Sequence, residues 1–413
     1  KMEKKSKTIS KCQISGIKDL KTIISLGYLP PVNKMQKIGE KKDETTFFPV
    51  ELMYSKSSKL VQLNNLVDKS ILFPKEYPYT SSTTKILREN FKELYEESTN
   101  LIDVKSNDLI IDIGSNDGNL LNNFKKKHKV LGVTPENIGK IAIKKGIHTL
   151  IKYFDKKTSN YIFKKFGKAK IITATNVFAH IENVKDLMTN VLKVLKSDGV
   201  FITESHYLVP LIKELQYDTI YHEHLRYYSL TSLKYLFEKY NLTIFHAKKI
   251  PTHGGSIRVY AAKKGNFKPL RSVKKILDEE RNFLNWKNFN KFRYNVVKSK
   301  LDLYKLLNKI IKKKHKIYGI GAPSRASTLI NYLGLTNEIL SSVCEIEGSY
   351  KIGNYMPGTN IPIVSEKKLY TDKPHYALLL SWHISKELIS NLKKRGFKGK
   401  FIIPLPVPRI VSK

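Results

Sequence analysis

Cysteine is almost missing from this 413-residue chain: Cys12 and Cys344 are its only two. Two thiols cannot build a disulfide framework, and such scarcity fits a reducing compartment, so a cytoplasmic location is expected. Neither thiol has neighbours in sequence that would activate it, and each reads as inert. No apolar run approaches the roughly 20 residues that a membrane span needs, and no membrane partner is expected. No apolar segment follows the basic residues at the start, so no secretory signal is expected. Acidic residues are scarce as well: 36 Asp and Glu face 74 Lys and Arg, a net charge of +38. Such a charge favours polyanions. Yet arginine is also scarce, at nine residues, and specific recognition of phosphates or bases leans on its bidentate fork. The lysines are scattered apart from short runs such as Lys312-Lys313-Lys314. Nucleic acid is therefore not the expected partner, whereas an anionic small substrate such as a nucleotide diphosphate fits the charge equally well.

The length calls for two or three domains. The most informative stretch is Leu109-Ile110-Ile111-Asp112-Ile113-Gly114-Ser115-Asn116-Asp117-Gly118. It reads as a strand buried on both faces, then a polar turn, then the start of a helix. Gly114 and Gly118 permit backbone angles that a side chain forbids, and let a ligand approach the main chain. Asp112 at the strand's end must find a partner, either a cationic ligand or an amide of the turn. An ordinary strand-to-helix turn with no ligand is the competing reading.

Residues 1–75 are weakly patterned. Phe47 to Met53 and Lys59 to Leu63 read as short hairpin strands, and Leu26 to Pro31 as a turn or extended piece. A unit this small has a thin core and leans on a metal or a neighbouring domain; with one cysteine it cannot form a four-thiolate zinc site. A helix is expected from about Thr83 to Asn100, capped by Ser82 or Thr83. Strand and helix then alternate: strands at 109–113, Lys129 to Val133, Ile171 to Thr175 and Gly199 to Glu204, with helices between them. That rhythm predicts a doubly wound parallel sheet, whose ligands bind beyond the carboxyl ends of the strands. Asp112, Ser115, Asn116, Asp117, Glu136, Asn176, His180 and Glu204 all fall there. Leu242 to Lys248 and Ser256 to Lys263 read as an antiparallel pair closing the sheet edge. Residues 267–315 carry helical apolar spacing and read as helices linking two domains. A second α/β unit begins at Lys316. Its turn, Gly319-Ile320-Gly321-Ala322-Pro323-Ser324-Arg325-Ala326-Ser327, would place amides, hydroxyls and a guanidinium at a helix start, a natural anion site.

Tyr221-His222-Glu223-His224 sets a carboxylate beside an imidazole, the usual general base near neutral pH; a solvated polar turn is the alternative. With it the chain resembles the three-domain sugar C-methyltransferases, which use S-adenosylmethionine to methylate a carbon of a nucleotide-linked ketosugar. The matching pieces are Tyr77-Pro78-Tyr79-x-Ser81-Ser82, Asp112 to Gly118, Ala174 to Ile181, Tyr221 to His224, His253-Gly254-Gly255-Ser256-Ile257-Arg258, Tyr318 to Ala322, and Pro357-Gly358-Thr359-x-Ile361-Pro362-Ile363. They occur in the family's order over nearly the whole chain.

The resemblance implies an α/β protein: a class I methyltransferase sheet over 76–266, a small N-terminal domain over 1–75, a helical linker over 267–315 and a Rossmann-like nucleotide-sugar domain over 316–413. It implies that Asp112, Gly114, Ser115, Asn116, Gly118, Glu136 and Asn176 hold S-adenosylmethionine. His224 would be the base, with Glu223, Tyr221, His180 and Tyr77 orienting the substrate and stabilising developing charge. Tyr79, Ser82, Gly319, Gly321, Ser324 and Arg325 would bind the nucleotide-diphosphate sugar. Two departures stand out. The family's four zinc cysteines correspond to Cys12, Ser15, Ser55 and Ser58, so no zinc is expected. The acid that usually ends the second strand is Thr134, with Glu136 as its substitute. A scaffold of the same fold that binds a nucleotide sugar or nucleic acid without chemistry is the alternative; the oligomeric state is left open, a monomer included.

Overall fold

The computed structural model describes residues 5–41, 44–73 and 84–412. Its centre is a seven-stranded sheet. In chain order the strands are Leu109–Ile113, Lys129–Thr134, Thr149–Ile151, Ala169–Thr175, Leu195–His206, Leu242–Ile250 and Ser256–Lys263. Side by side they run 3-2-1-4-5-7-6, all parallel except the last, which is antiparallel to both neighbours. The two-sided burial expected of the 109–113 run follows from its alternation. Ile111, Ile113 and Ile172 enter the core on one face, and Ile110, Ile171 and Ile202 that on the other, which is why the 109–113 strand is apolar up to Asp112.

The helix Lys85–Leu101 buries Leu87, Phe91, Leu94 and Ser98 at helical spacing. Its first residue follows Thr84, which makes no side-chain cap bond; the expected caps Ser82 and Thr83 lie outside the described residues. Two elements escape the sequence reading between 146 and 170: the strand Thr149–Ile151 and the helix Lys156–Phe166. That helix buries only Thr158, Ser159 and Ile162, too narrow a stripe to stand out. Its ends are nonetheless well marked, by Asp155 accepting from the Thr158 amide at 2.8 Å and by Gly167 at φ +82°.

Near the N-terminus, Leu20–Leu29 is a ten-residue strand paired with Phe48–Ser55, longer than the turn or extended piece expected there. Register shifts at Thr22/Ile24 and Ser25/Tyr28 interrupt its alternation and hide the strand pattern. With Val61–Leu63 these strands form a sheet whose far edge is Arg226–Tyr227, lent by the central region. The C-terminal sheet places Ile363–Ser365, Ser342–Glu345, Ile317–Ile320, Tyr376–Leu379 and Lys400–Ile403 in parallel, with Arg409–Val411 antiparallel at the edge. The helices Arg271–Phe283 and Trp286–Ile311 connect it to the central sheet. One apolar core runs through the N-terminal sheet, the helix Trp286–Ile311 and the C-terminal sheet, so the thin N-terminal unit is covered by its neighbours.

Candidate active site

The strand order reverses between Leu109–Ile113 and Ala169–Thr175, and a crevice at such a switch point is where open α/β sheets bind ligands. Two turns leave the sheet there. Gly114 has φ +76°, and a Cβ on it would stand 2.9 Å from Val177 Cγ2 of the facing turn. Only glycine allows that approach. Asn116 and Asn176 take φ +50° and +55°, a left-handed geometry that Asn tolerates better than most residues. The Ser115 hydroxyl is buried without a hydrogen-bond partner among the described residues. Past the second strand, Thr134 Oγ1 donates to Glu136 at 2.5 Å. A carboxylate thus stands two residues past Thr134, held by the threonine hydroxyl.

The expectation for Asp112 needs an addition: the Thr173 hydroxyl of the adjacent strand donates to its carboxyl at 2.6 Å. Burial, with the negative charge of Glu204 adding to it, pushes the Asp112 carboxyl up to about 7. Glu204 is likewise occupied: Arg258 Nε donates at 2.6 Å and Asn90 Nδ2 at 2.9 Å. Arg258 also reaches Glu97 and the Asn90 side chain, at 2.8 and 2.9 Å. The arginine of the His253–Arg258 motif is therefore a clamp under the crevice, invisible in sequence because its partners lie 54 to 168 residues away.

Tyr221 to His224 form a tight turn in which the His224 amide donates to the Tyr221 carbonyl at 2.9 Å. Neighbours on two sides pin it. The Leu225 amide donates to Ala179 O, and its carbonyl accepts from the Leu63 amide. Buried Arg226 donates to the carbonyls of Phe178 and Ile181. These bonds bring the 177–181 turn onto the 221–224 turn, so that the His180 and His224 rings lie 5.0 Å apart. The Tyr221 ring lies 4.1 Å from that of His224. His224 Nδ1 is 2.8 Å from the Thr219 carbonyl. A carbonyl only accepts, so Nδ1 carries the proton and Nε2 the lone pair. Burial, then the neighbouring His180, holds the His224 imidazolium well below the usual histidine range. Burial and the Arg226 charge likewise lower His180, to about 4. Burial and the Glu223 carboxylate hold the Tyr221 hydroxyl protonated. Tyr77, Tyr79 and Ser82 lie outside the described residues.

The C-terminal turn also needs a correction. Gly321 at φ +81° leads into the helix Ser324–Leu333, and Ser324 stays partly accessible beside it. Arg325, however, turns one edge of its guanidinium to a carboxylate of the chain itself. It is buried and bidentate to Asp218, with Nε and Nη2 each 2.8 Å from a carboxylate oxygen. Trp382 Nε1 donates to the same carboxylate at 2.8 Å. Asp218 and Asn33, which donates to Glu223, are residues that sequence reasoning did not assign; neither belongs to a motif that could have flagged it.

At the N-terminal end, Cys12, Ser15, Ser55 and Ser58 come together. Ser55 Oγ donates to Asp19 at 2.8 Å and Ser58 Oγ to Ser55 Oγ at 3.1 Å. Cys12 Sγ lies 3.1 Å from Ser58 Oγ. A hydroxyl relay, Ser58 to Ser55 to Asp19, with the Cys12 sulfur beside it, therefore fills the position. One thiol and three neutral hydroxyls do not fit the thiolate and imidazole donor set of a structural zinc.

Three family models match the chain. Residues 86–247 match "Methyltransferase domain", 251–406 "C-methyltransferase C-terminal domain" and 12–73 "Putative zinc binding domain". The chain is 30% identical over 414 aligned residues to the C-methyltransferase NovU of Streptomyces niveus, covering 98% of this chain and 97% of that one. Solved structures that align include an S-adenosylmethionine-dependent methyltransferase from Clostridium acetobutylicum, at 16% identity and TM-score 0.34. It covers 45% of this chain and 94% of that one. The magnesium protoporphyrin IX methyltransferase of Synechocystis with bound SAM aligns at 12% identity and TM-score 0.32, covering 43% and 78%.

Proposed function

The chain belongs to the three-domain S-adenosylmethionine-dependent C-methyltransferase family, and on that premise we propose that it methylates a carbon next to the keto group of a nucleotide-linked deoxyketosugar. The crevice at the switch point suits the donor. Its glycine cradle and the Ser115 hydroxyl, which has no partner among the described residues, fit a ligand lying along the 114–118 turn, with Asn116 and Asn176 beside it and Glu136 placed for ribose hydroxyls. When bound, S-adenosylmethionine supplies an electrophilic methyl on a sulfonium sulfur.

The observation that carries the substrate reading is the tautomer of His224. With Nδ1–H given to Thr219, Nε2 is a free base. A C–H next to a ketone is acidic only when its carbanion is delocalised as an enolate, so proton removal must be matched by a donor to the ketone oxygen. His224 Nε2 takes the proton, and the electron pair of the C–H bond passes into the enolate. Tyr221, which keeps its proton, serves as that donor, with His180 and Tyr77 alongside. Glu223 accepts from a sugar hydroxyl and fixes the ring. Ser324 and the Gly319–Gly321 turn border the nucleotide diphosphate, while Arg325 supports them from below. The division into a small N-terminal unit, a methyltransferase unit and a C-terminal nucleotide-sugar unit is part of this reading, and the lent strand Arg226–Tyr227 pairs the first to the second.

Two reactions test this. With S-adenosylmethionine and a panel of nucleotide-linked ketosugars, one substrate should gain a methyl on carbon, located by NMR. In deuterated water without donor, the same substrate should exchange its α-proton. A protein that binds the donor yet neither methylates nor exchanges any of the panel overturns the reading, and leaves the scaffold without chemistry. That alternative rests on Thr134 and the missing cysteines, and Glu136 answers the first.

The N-terminal unit holds itself by the hydroxyl relay and its borrowed strand, without zinc. Elemental analysis of purified protein should find far less than one zinc per chain, and a chelator should leave the melting temperature unchanged. A full equivalent of zinc whose removal lowers that temperature would refute this.

A further inference from the structure

Glu223 is only 3% exposed, and a carboxylate that deep must be met by donors. One comes from a distant part of the chain. Asn33 Nδ2 donates to Glu223 Oε1 at 2.6 Å, across 190 residues. A carboxylate can only accept, so the amide nitrogen of Asn33 has to face Glu223 and its oxygen has to face away. That oxygen meets Ser324, whose Oγ stands 3.4 Å off at the start of the helix Ser324–Leu333. Asn33 is itself held firmly. It follows Pro30-Pro31, buried Val32 anchors it, and the turn closes through Lys34 N to Pro31 O at 3.1 Å and Met35 N to Asn33 O at 3.0 Å. One amide therefore touches three parts of the molecule: the N-terminal unit that carries it, the base turn, and the first residue of the C-terminal helix.

We infer that Asn33 is a positioning residue, which sets the orientation of the Glu223 carboxylate and ties it to the N-terminal and C-terminal units. The inference rests on the reading above, in which Glu223 orients the sugar. It gives the N-terminal unit a part in turnover. The unit supplies the donor that aims a substrate-binding carboxylate, so its contribution exceeds that of a structural cap. Glu223 adjoins His224 in one tight turn, and a carboxylate that swings takes the sugar's α-carbon away from the base.

The isosteric variant Asn33→Asp separates aim from bulk. It keeps the shape and sets an acceptor against an acceptor at hydrogen-bond distance. Turnover should fall on the order of 100-fold, the cost of a misplacement near 1 Å, while the KM for S-adenosylmethionine stays the same. Its melting temperature should fall too. The double variant N33D/E223Q restores a donor–acceptor pair in the opposite sense and should recover the lost melting temperature without recovering turnover. A purely packing role predicts little change for N33D and no recovery in the double variant. If the wild type is active and N33D turns over at its rate, the positioning role is wrong. If the double variant melts no higher than N33D, the contact is wrong. A wild type inert toward every nucleotide ketosugar, with the melting cycle as expected, overturns the substrate reading and confines Asn33 to holding Glu223.

Discussion

His224→Asn should lower methyl transfer by on the order of 10²- to 10⁴-fold, the usual contribution of a general base, while calorimetry shows S-adenosylmethionine binding unchanged. The amide can still donate to the Thr219 carbonyl in place of Nδ1–H, so the turn keeps its shape. It offers no lone pair of comparable basicity where Nε2 stood. Exchange of the substrate's α-proton in deuterated water should vanish with it, because that step precedes and does not require the donor. Loss of methyl transfer with exchange intact would instead assign the proton to another group. The pH dependence follows from the same burial. His224 is held well below the usual histidine value by burial first and by His180 second, so it is already neutral at pH 7. In kcat/KM, which reports the free enzyme, the acid limb should therefore lie below pH 6.5. Stability moves in the same direction. His180 and His222 are lowered to about 4 and His206 to about 3, in each case chiefly by burial. Below pH 6.5 the unfolded chain binds protons at these residues that the folded chain refuses. These histidines should thus cost stability as pH falls from 6.5; Asp112, raised by burial to about 7, offsets part of the loss because the folded chain takes up its proton first, and carboxylates held low, such as Glu97, add to the loss further down.

How far the sequence could be read depended on the range of each cause. The central sheet was legible because doubly buried strands must be apolar throughout, and the 109–113 and 171–175 runs show it locally. The strand at 149–151 and the helix at 156–166 were not, since so little of either is buried. The base turn was legible as Tyr221-x-Glu223-His224, yet nothing in those residues tells that Nδ1 meets the Thr219 carbonyl, which fixes the tautomer. Asp112 was placed correctly at the strand end, but its Thr173 partner was not foreseen. The Thr173 hydroxyl becomes its neighbour only through the pairing register of two strands. Arg325 failed for a related reason. An arginine opening a helix after a glycine turn reads the same whether it meets a phosphate or a carboxylate 107 residues away. Asn33 carries no signal of its own, because an Asn after two prolines is ordinary turn chemistry.

Asp218→Ala should be the most destabilising single change considered. Asp218 is fully buried and is the shared acceptor of Arg325 and Trp382, at 2.8 Å for all three bonds. Truncation leaves a guanidinium and an indole N–H buried with no acceptor there, and breaking a buried pair from one side costs about 3–5 kcal/mol. Replacing both ends with apolar residues, as in D218L/R325M, should cost clearly less, because the stranded charge goes too. The same ordering should appear in urea unfolding; an Ala variant as stable as the wild type would show that the pair carries no net weight. The consequence reaches the chemistry. Asp218 joins the helix Ser324–Leu333 and Trp382 of the C-terminal sheet region to the segment whose next residue, Thr219, orients the His224 ring. Loosening it frees the carbonyl that keeps the proton on Nδ1. In the fraction of D218A that remains folded, turnover should therefore drop while S-adenosylmethionine affinity holds, since the 114–118 turn follows a strand of the central sheet whereas Arg325 and Trp382 belong to the C-terminal unit. The arginine expected to grip the substrate's phosphates would then serve catalysis in another way, by holding the lever that keeps the base in its working tautomer.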